Sequence, residues 1–210
     1  MITLPTTTKA ILFDLGGVLL NLQLHKTFTA FEQLGLYNFS KEFDSYSGSP
    51  FIEQFEEGKI TSEQFVETIK SRCNPNTTTA QILTAWNAML GEFPLKKLAL
   101  LQQLAKQYKL LLYSNTNALH VAHLHLYYNN LFGNNTMQHL FEKMYFSNEV
   151  GIRKPNPEGF TFILNEQHLE PNQVFYIDDG SMHIAAAKAL GLHTYLTPQN
   201  ADLIVKGFND

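Results

Sequence analysis

Three stretches of the chain are apolar without interruption and run into polar side chains: Ala10–Phe13 before Asp14, Leu110–Tyr113 before Ser114, and Val174–Ile177 before Asp178. Short apolar runs bounded by charged or turn residues predict strands. Because the apolar residues are continuous rather than alternating, both faces of each strand are expected to be covered, as in a parallel sheet with helices on either side. The segments between these runs carry a helical period. Leucines recur at helical spacing over residues 95–108, and a second helical stretch over residues 181–190 is closed by Gly191. Alternating strands and helices predict an α/β fold built on a doubly wound parallel sheet with right-handed crossovers.

Residues 22–92 follow a different pattern, with helical periodicity and no buried strand. Four helices are expected, over residues 26–36, 49–58, 61–71 and 78–90, with Thr61 followed by Glu63 and Gln64 as a helix start and Gly58, Pro75 and Gly91 as punctuation. So long an insertion after the first strand reads as a small α-helical cap rather than a sheet crossover, whose loops are short. The expected division is a core of residues 1–21 and 93–210 and a cap of residues 22–92, seated over the sheet edge where such folds bind ligands. Trp86, Phe51, Phe55 and Phe65 are read as the core of that cap.

Composition narrows the setting. At 210 residues and 44% hydrophobic, the chain can bury a full core. A formal charge of -4 offers no global attraction for nucleic acid or an anionic membrane, so neither is expected as a partner. The single cysteine, Cys73, cannot form an internal disulfide. With no secretion signal and no spanning segment in the sequence, a soluble cytoplasmic protein is expected. Nothing in the sequence sets an oligomeric state.

The chemistry lies at the strand ends. Asp14, then Ser114, Asn115 and Thr116, then Lys154 in the stretch 151–157, then Asp178 and Asp179 would all emerge at one carboxyl edge of a parallel sheet. Such a group can hold a divalent cation through oxygens and a phosphoryl group through Lys154 and Ser114, with Asp14 placed to attack phosphorus. Taken singly, Ser114 could be a turn residue and Asp178 a helix cap. Those readings leave the shared polar ends unexplained. His120, His123 and His125 have a metal-like spacing but no acidic or thiolate companion, and are read as a partly exposed helix face.

This order of motifs, Asp14 with a Gly-Gly following, Ser114, Lys154 before Pro155, and Asp178–Asp179, resembles the haloacid dehalogenase superfamily of hydrolases, with its Rossmann-like core and small helical cap. The resemblance implies that Asp14 is a nucleophile forming an aspartyl-phosphate, with Ser114 and Lys154 completing the catalytic set. It implies a magnesium site made by Asp14, the Gly16 carbonyl, Asp179 and Asp178. It assigns Ser114, Asn115, Lys154 and Gly17 to substrate binding, and a small phosphorylated metabolite as substrate. Arg153 is expected to face solvent.

The departures are informative. The proton-donating aspartate that most phosphatases of the superfamily carry two residues after the nucleophile is Gly16 here, and the residue four after Asp179 is His183. The sequence also resembles a subgroup acting on hexose phosphates such as glucose 1-phosphate, whose better leaving group would lessen the need for an acid. His25 is a candidate substitute acid, although a solvent-facing histidine at a helix start is the simpler reading. Two other functions stay open: a 2-haloacid dehalogenase, and a non-catalytic phosphometabolite- or partner-binding protein. Haloacid dehalogenases lack the acidic pair and carry a tyrosine where this chain has Phe160, which speaks against the first.

Overall fold

The computed structural model describes residues 1–43, 49–132 and 138–208. Residues 44–48, 133–137 and 209–210, which fall within the expected cap and core ranges, lie outside the described residues. Five strands, β1 (Ala10–Phe13), β2 (Lys109–Ser114), β3 (Lys143–Phe146), β4 (Val174–Asp178) and β5 (His193–Leu196), form one parallel sheet in the order β3-β2-β1-β4-β5. The three expected strands are its three central members. Ile11, Phe13, Leu110, Leu112, Phe175 and Ile177 point into one core, and Ala10, Leu12, Leu111, Tyr113, Val174 and Tyr176 into the other. With side chains alternating across the pleat and both sides covered, the apolar run has no polar break.

The helices are α1 (Leu24–Gln33), α2 (Pro50–Glu56), α3 (Ser62–Lys70), α4 (Thr79–Asn87), α5 (Leu95–Leu104), α6 (Ala118–Phe132), α7 (Ser147–Val150), α8 (Pro157–Gln167) and α9 (Ser181–Ala189). Thr61 starts α3 through a capping box with Gln64, and Thr78 does the same for α4 with Gln81. Gly191 follows α9 at φ 92°, a left-handed conformation that favours glycine. Neither β3 and β5 nor α6, α7 and α8 is marked by a simple run. The edge strand β5 is half-exposed throughout and β3 begins with an exposed lysine, so polar residues interrupt both. No described helix is long and apolar enough to cross a membrane.

α1 to α4 bury a third core of their own, in which Phe31, Phe39, Phe55, Phe65 and Trp86 are almost fully buried. The chain enters and leaves this helical insertion along paired segments. Asn21 N–H donates to the Glu92 carbonyl at 2.9 Å, Gly91 N–H to Asn21 at 2.8 Å, and Gln23 N–H to Met89 at 2.8 Å. Asn200 fastens the same crossing to the sheet, its side chain both accepting from Leu22 N–H and donating to the Leu22 carbonyl.

Candidate active site

β1 continues as a hydrogen-bonded strand up to Asp14, whose N–H donates to the Ile177 carbonyl at 2.9 Å, so its side chain leaves the sheet at the carboxyl edge. Asp178 ends the neighbouring strand β4, and Asp179 follows. Oxygens of Asp14, Asp178 and Asp179 lie within 4.8 Å of one another. Lys154, 1% exposed, reaches into this group: its Nζ donates to Asp14 Oδ1 at 2.6 Å and to Asp178 Oδ2 at 2.8 Å. Tyr113 and Tyr176 face the same ammonium, their ring centres at 5.5 and 5.8 Å.

The two ion-paired aspartates differ. Both oxygens of Asp178 are engaged, by Lys154, by the Tyr176 hydroxyl, by Gly180 N–H at 2.6 Å and by His183 Nδ1 at 3.1 Å. Asp14 Oδ2 has no hydrogen-bond partner among the described residues. Burial pushes the Asp14 carboxyl up to about 7, Lys154 opposing and the Asp178 and Asp179 carboxylates adding to the rise. Burial acts the same way on Asp178, but the Lys154 ammonium and the His183 contact outweigh it and hold that group below the usual carboxylate range. Asp179 is raised, by burial and then by Asp178. Three converging carboxylates against one ammonium leave the pocket with surplus negative charge. An all-oxygen donor set of that kind fits a hard divalent cation, which would relieve the repulsion.

The glycines after Asp14 are set by space. Gly17 has φ 79°, and a Cβ there would lie 2.1 Å from Asp179 Oδ2. Its N–H is committed to the Leu20 carbonyl at 2.7 Å and its carbonyl to Asn200 N–H at 2.6 Å. The absence of a side chain at Gly17 lets Asp179 come close. At Gly16 a Cβ would meet Leu22 Cδ1 at 2.8 Å, so a leucine fills the space a side chain at that position would enter.

Asn115 has a second engagement. Its Nδ2 donates to the Lys154 carbonyl and its Oδ1 accepts from Lys154 N–H, both at 2.8 Å, so the side chain splints the lysine backbone. Ser114 remains available: its hydroxyl makes only a long 3.5 Å contact to the Asn115 carbonyl. Arg153 is half-buried and ion-paired. Its Nε donates to Glu56 Oε2 at 2.7 Å and its NH1 pairs with Glu53 Oε1 at 3.1 Å, tying the loop before α8 to α2.

A cavity of about 190 Å³ lies between the sheet edge and the insertion, lined by Leu15 and Gly16 after β1, by Ser114 at the end of β2 with Asn115 and Thr116 after it, and by Glu56, Trp86 and His120 from the helices. His120 is buried, not part of an exposed face. It stacks on Trp86 at 4.8 Å with its ring nitrogens near Asn117 and the Trp86 carbonyl, and burial pushes it down to about 4. His123 is exposed, and among the described residues the one metal-competent cluster is that of Asp14, Asp178 and Asp179. His25 is exposed at the start of α1, the simpler of its two readings. Glu56 was not singled out by the sequence, where it sits among Glu53 and Glu57 like any solvated acidic face.

Comparison with known proteins agrees with this geometry. The model of haloacid dehalogenase-like hydrolases matches residues 8–191. The chain is 31% identical over 194 residues to D-ribitol-5-phosphate phosphatase of Bacteroides thetaiotaomicron, covering 92% of this chain and 94% of the relative. A crystal structure of a haloacid dehalogenase-family enzyme from the same organism, in complex with magnesium and inorganic phosphate, superposes with a TM-score of 0.81 at 32% identity, over 93% of this chain and 96% of that one. A predicted hydrolase of the family from Porphyromonas gingivalis gives 0.83 at 29% identity, over 94% of each chain.

Proposed function

The chain belongs to the haloacid dehalogenase-like hydrolase family, and on that premise we propose that it is a magnesium-dependent phosphatase of small phosphorylated sugars or polyols, working through Asp14. The observation that carries this reading is a buried aspartate with one oxygen free, held at the other oxygen by a buried lysine, inside a cluster of three carboxylates. The solved relative bound to magnesium and phosphate, and the relative that acts on D-ribitol 5-phosphate, support the same chemistry.

Asp14 Oδ2 attacks phosphorus and the substrate alcohol departs, leaving an aspartyl-phosphate that water then hydrolyses. Lys154 fixes Asp14 for attack and, with Ser114, offers donors to the phosphoryl oxygens. Asp14, Asp178, Asp179 and the Gly16 carbonyl would hold the magnesium ion, which when bound offsets negative charge on the phosphoryl group. Asp178 also orients Lys154, whose Nζ donates to its Oδ2 at 2.8 Å. Asn115 and Gly17 are positioning residues, for Lys154 and Asp179 respectively. Residues 22–92 serve as the cap that closes over the edge and selects the substrate.

A 2-haloacid would bring its bare carboxylate against Asp178 and Asp179, which favours the phosphatase reading. Within it, Gly16 in the usual donor's place favours a sugar 1-phosphate, whose oxygen leaves easily; the named relative acts on a primary phosphate ester. The experiment is phosphate and halide release from a panel containing D-ribitol 5-phosphate, glucose 1-phosphate, glucose 6-phosphate and 2-haloacids, with and without magnesium, on the wild type and Asp14→Asn. Phosphate release that needs both magnesium and Asp14 is expected. Halide release without metal, or saturable binding of a phosphate ester with no turnover, would overturn it.

A further inference from the structure

The phosphatase reading leaves one proton without a source. An alkoxide is a poor leaving group, and at the position where the sequence comparison expects the acid there is Gly16, with Leu22 filling the space beside it. We propose that Glu56, at the end of α2 and lining the same cavity as Leu15, Gly16 and Ser114, donates the proton to the leaving oxygen and then serves as base toward the attacking water.

The lining of the cavity narrows the choice. Its described titratable side chains are Glu56 and His120. His120 is sandwiched against Trp86 and both ring nitrogens have neighbours within hydrogen-bonding distance. Glu56 has one oxygen, Oε2, on the Arg153 guanidinium, while Oε1 has no hydrogen-bond partner among the described residues.

Glu56 is also held in place. Its carbonyl accepts from Ser147 Oγ at 2.6 Å, and the same hydroxyl contacts the backbone of Thr116 just after β2. Gly58, at φ 68°, packs so tightly that a Cβ would lie 2.3 Å from the Asn148 carbonyl. The helix end is thus docked on the core beside Ser114, although it belongs to the insertion. The side chain is 16% exposed; burial raises its carboxyl above the ordinary carboxyl range against the opposing effect of Arg153, so the proton is held more tightly than in a free carboxyl. The charged and titratable groups around it are Arg153 from the loop before α8, Glu53 from its own helix, His183 from α9, His120 from α6, and the Lys59–Glu57 pair just beyond α2.

The two steps balance. As Asp14 forms its bond to phosphorus, the bond from phosphorus to the alcohol oxygen breaks; that oxygen keeps the electron pair and takes the Glu56 proton, leaving as neutral alcohol. Glu56, now a carboxylate beside Arg153, takes a proton from water as the water oxygen bonds to phosphorus and the bond to Asp14 breaks. Phosphate is released with Asp14 ionised and Glu56 protonated again.

The test is leaving-group dependence, measured on the full chain with magnesium using p-nitrophenyl phosphate, phenyl phosphate and D-ribitol 5-phosphate. An aryl oxide with a strong electron-withdrawing group needs no proton and an alkoxide does, so Glu56→Gln is expected to lose on the order of 10²- to 10³-fold on the sugar-alcohol ester. The loss on p-nitrophenyl phosphate should be at least about tenfold smaller, with phenyl phosphate between them. The alkaline fall of kcat/KM on the alkyl ester should vanish in the variant. Glu56→Asp, which keeps an acid, should recover part of the alkyl-to-aryl ratio, and Glu53→Gln should leave that ratio near the wild-type value. Equal losses on all three esters, or a raised KM with kcat kept, would overturn the proposal and make Glu56 a clamp or a specificity residue. If D-ribitol 5-phosphate is not turned over, the phenyl and p-nitrophenyl pair carries the same comparison. Absence of magnesium-dependent release from any ester by the wild type would instead sink the phosphatase reading beneath it.

Discussion

The carboxyl edge of the sheet and the tip of the helical insertion meet across one cavity, yet they are built on different principles. At the sheet edge, Asp14 and Asp178 extend strands whose registers are fixed by buried side chains on both faces, so each carboxylate has almost no freedom. The tip, with Glu56, hangs from a separate aromatic core. It reaches the sheet through paired linkers, one serine bridge and the Arg153 ion pairs. The edge therefore carries chemistry that depends on sub-ångström placement. The insertion, with a core of its own, can change its lining without disturbing the strands.

Breaking the sheet side should cost most. Lys154→Ala leaves Asp14 and Asp178 buried without their shared ammonium, an expected loss of about 3–5 kcal/mol together with loss of turnover; denaturant melts alongside phosphate release will show both. Gly17→Ala forces a side chain into the Asp179 carboxylate at a left-handed φ, expected to cost about 1–3 kcal/mol and to weaken magnesium binding, measurable by calorimetry.

A subtler cut is Asp14→Asn in the absence of metal. Folding raises the Asp14 carboxyl from 3.8 to about 7, so between those values the folded state binds more protons than the unfolded one and stability falls as pH rises. Removing the charge should then raise the metal-free melting point at pH 8 by the equivalent of about 1–3 kcal/mol and change it little near pH 4. Magnesium should stabilise the wild type more than the variant. On the insertion side, Arg153→Ala removes partly exposed pairs and should cost at most about 1 kcal/mol, while shifting the relative rates on alkyl and aryl esters. An Arg153→Ala protein as damaged as Lys154→Ala would erase the contrast between the two regions.

The same contrast decided what could be read from the chain. The three central strands were visible because burial on both faces leaves an unbroken apolar run, and their polar ends pointed to Asp14, Ser114 and Asp178. Edge strands β3 and β5 face solvent on part of their surface and lost that signature. The four helices of the insertion were recoverable from period and from threonine caps. The use of individual side chains was less legible. Asn115 and Gly17 stand beside the chemistry but spend their hydrogen bonds on Lys154, Leu20 and Asn200. Arg153 and Glu56 find each other across 97 positions of sequence, which no local pattern announces. His120 shares a helix with the exposed His123, and only the packing against Trp86 separates them.

On the proposed mechanism Asp14 itself takes the phosphoryl group. Magnesium-loaded protein mixed with a turned-over phosphate ester, quenched in acid within the first turnover and digested, should yield the peptide containing Asp14 heavier by one phosphoryl group, with the mass gone in Asp14→Asn. Phosphate release that proceeds through the first turnover with that peptide unmodified, or with the label on another residue, would rule out Asp14 as the nucleophile.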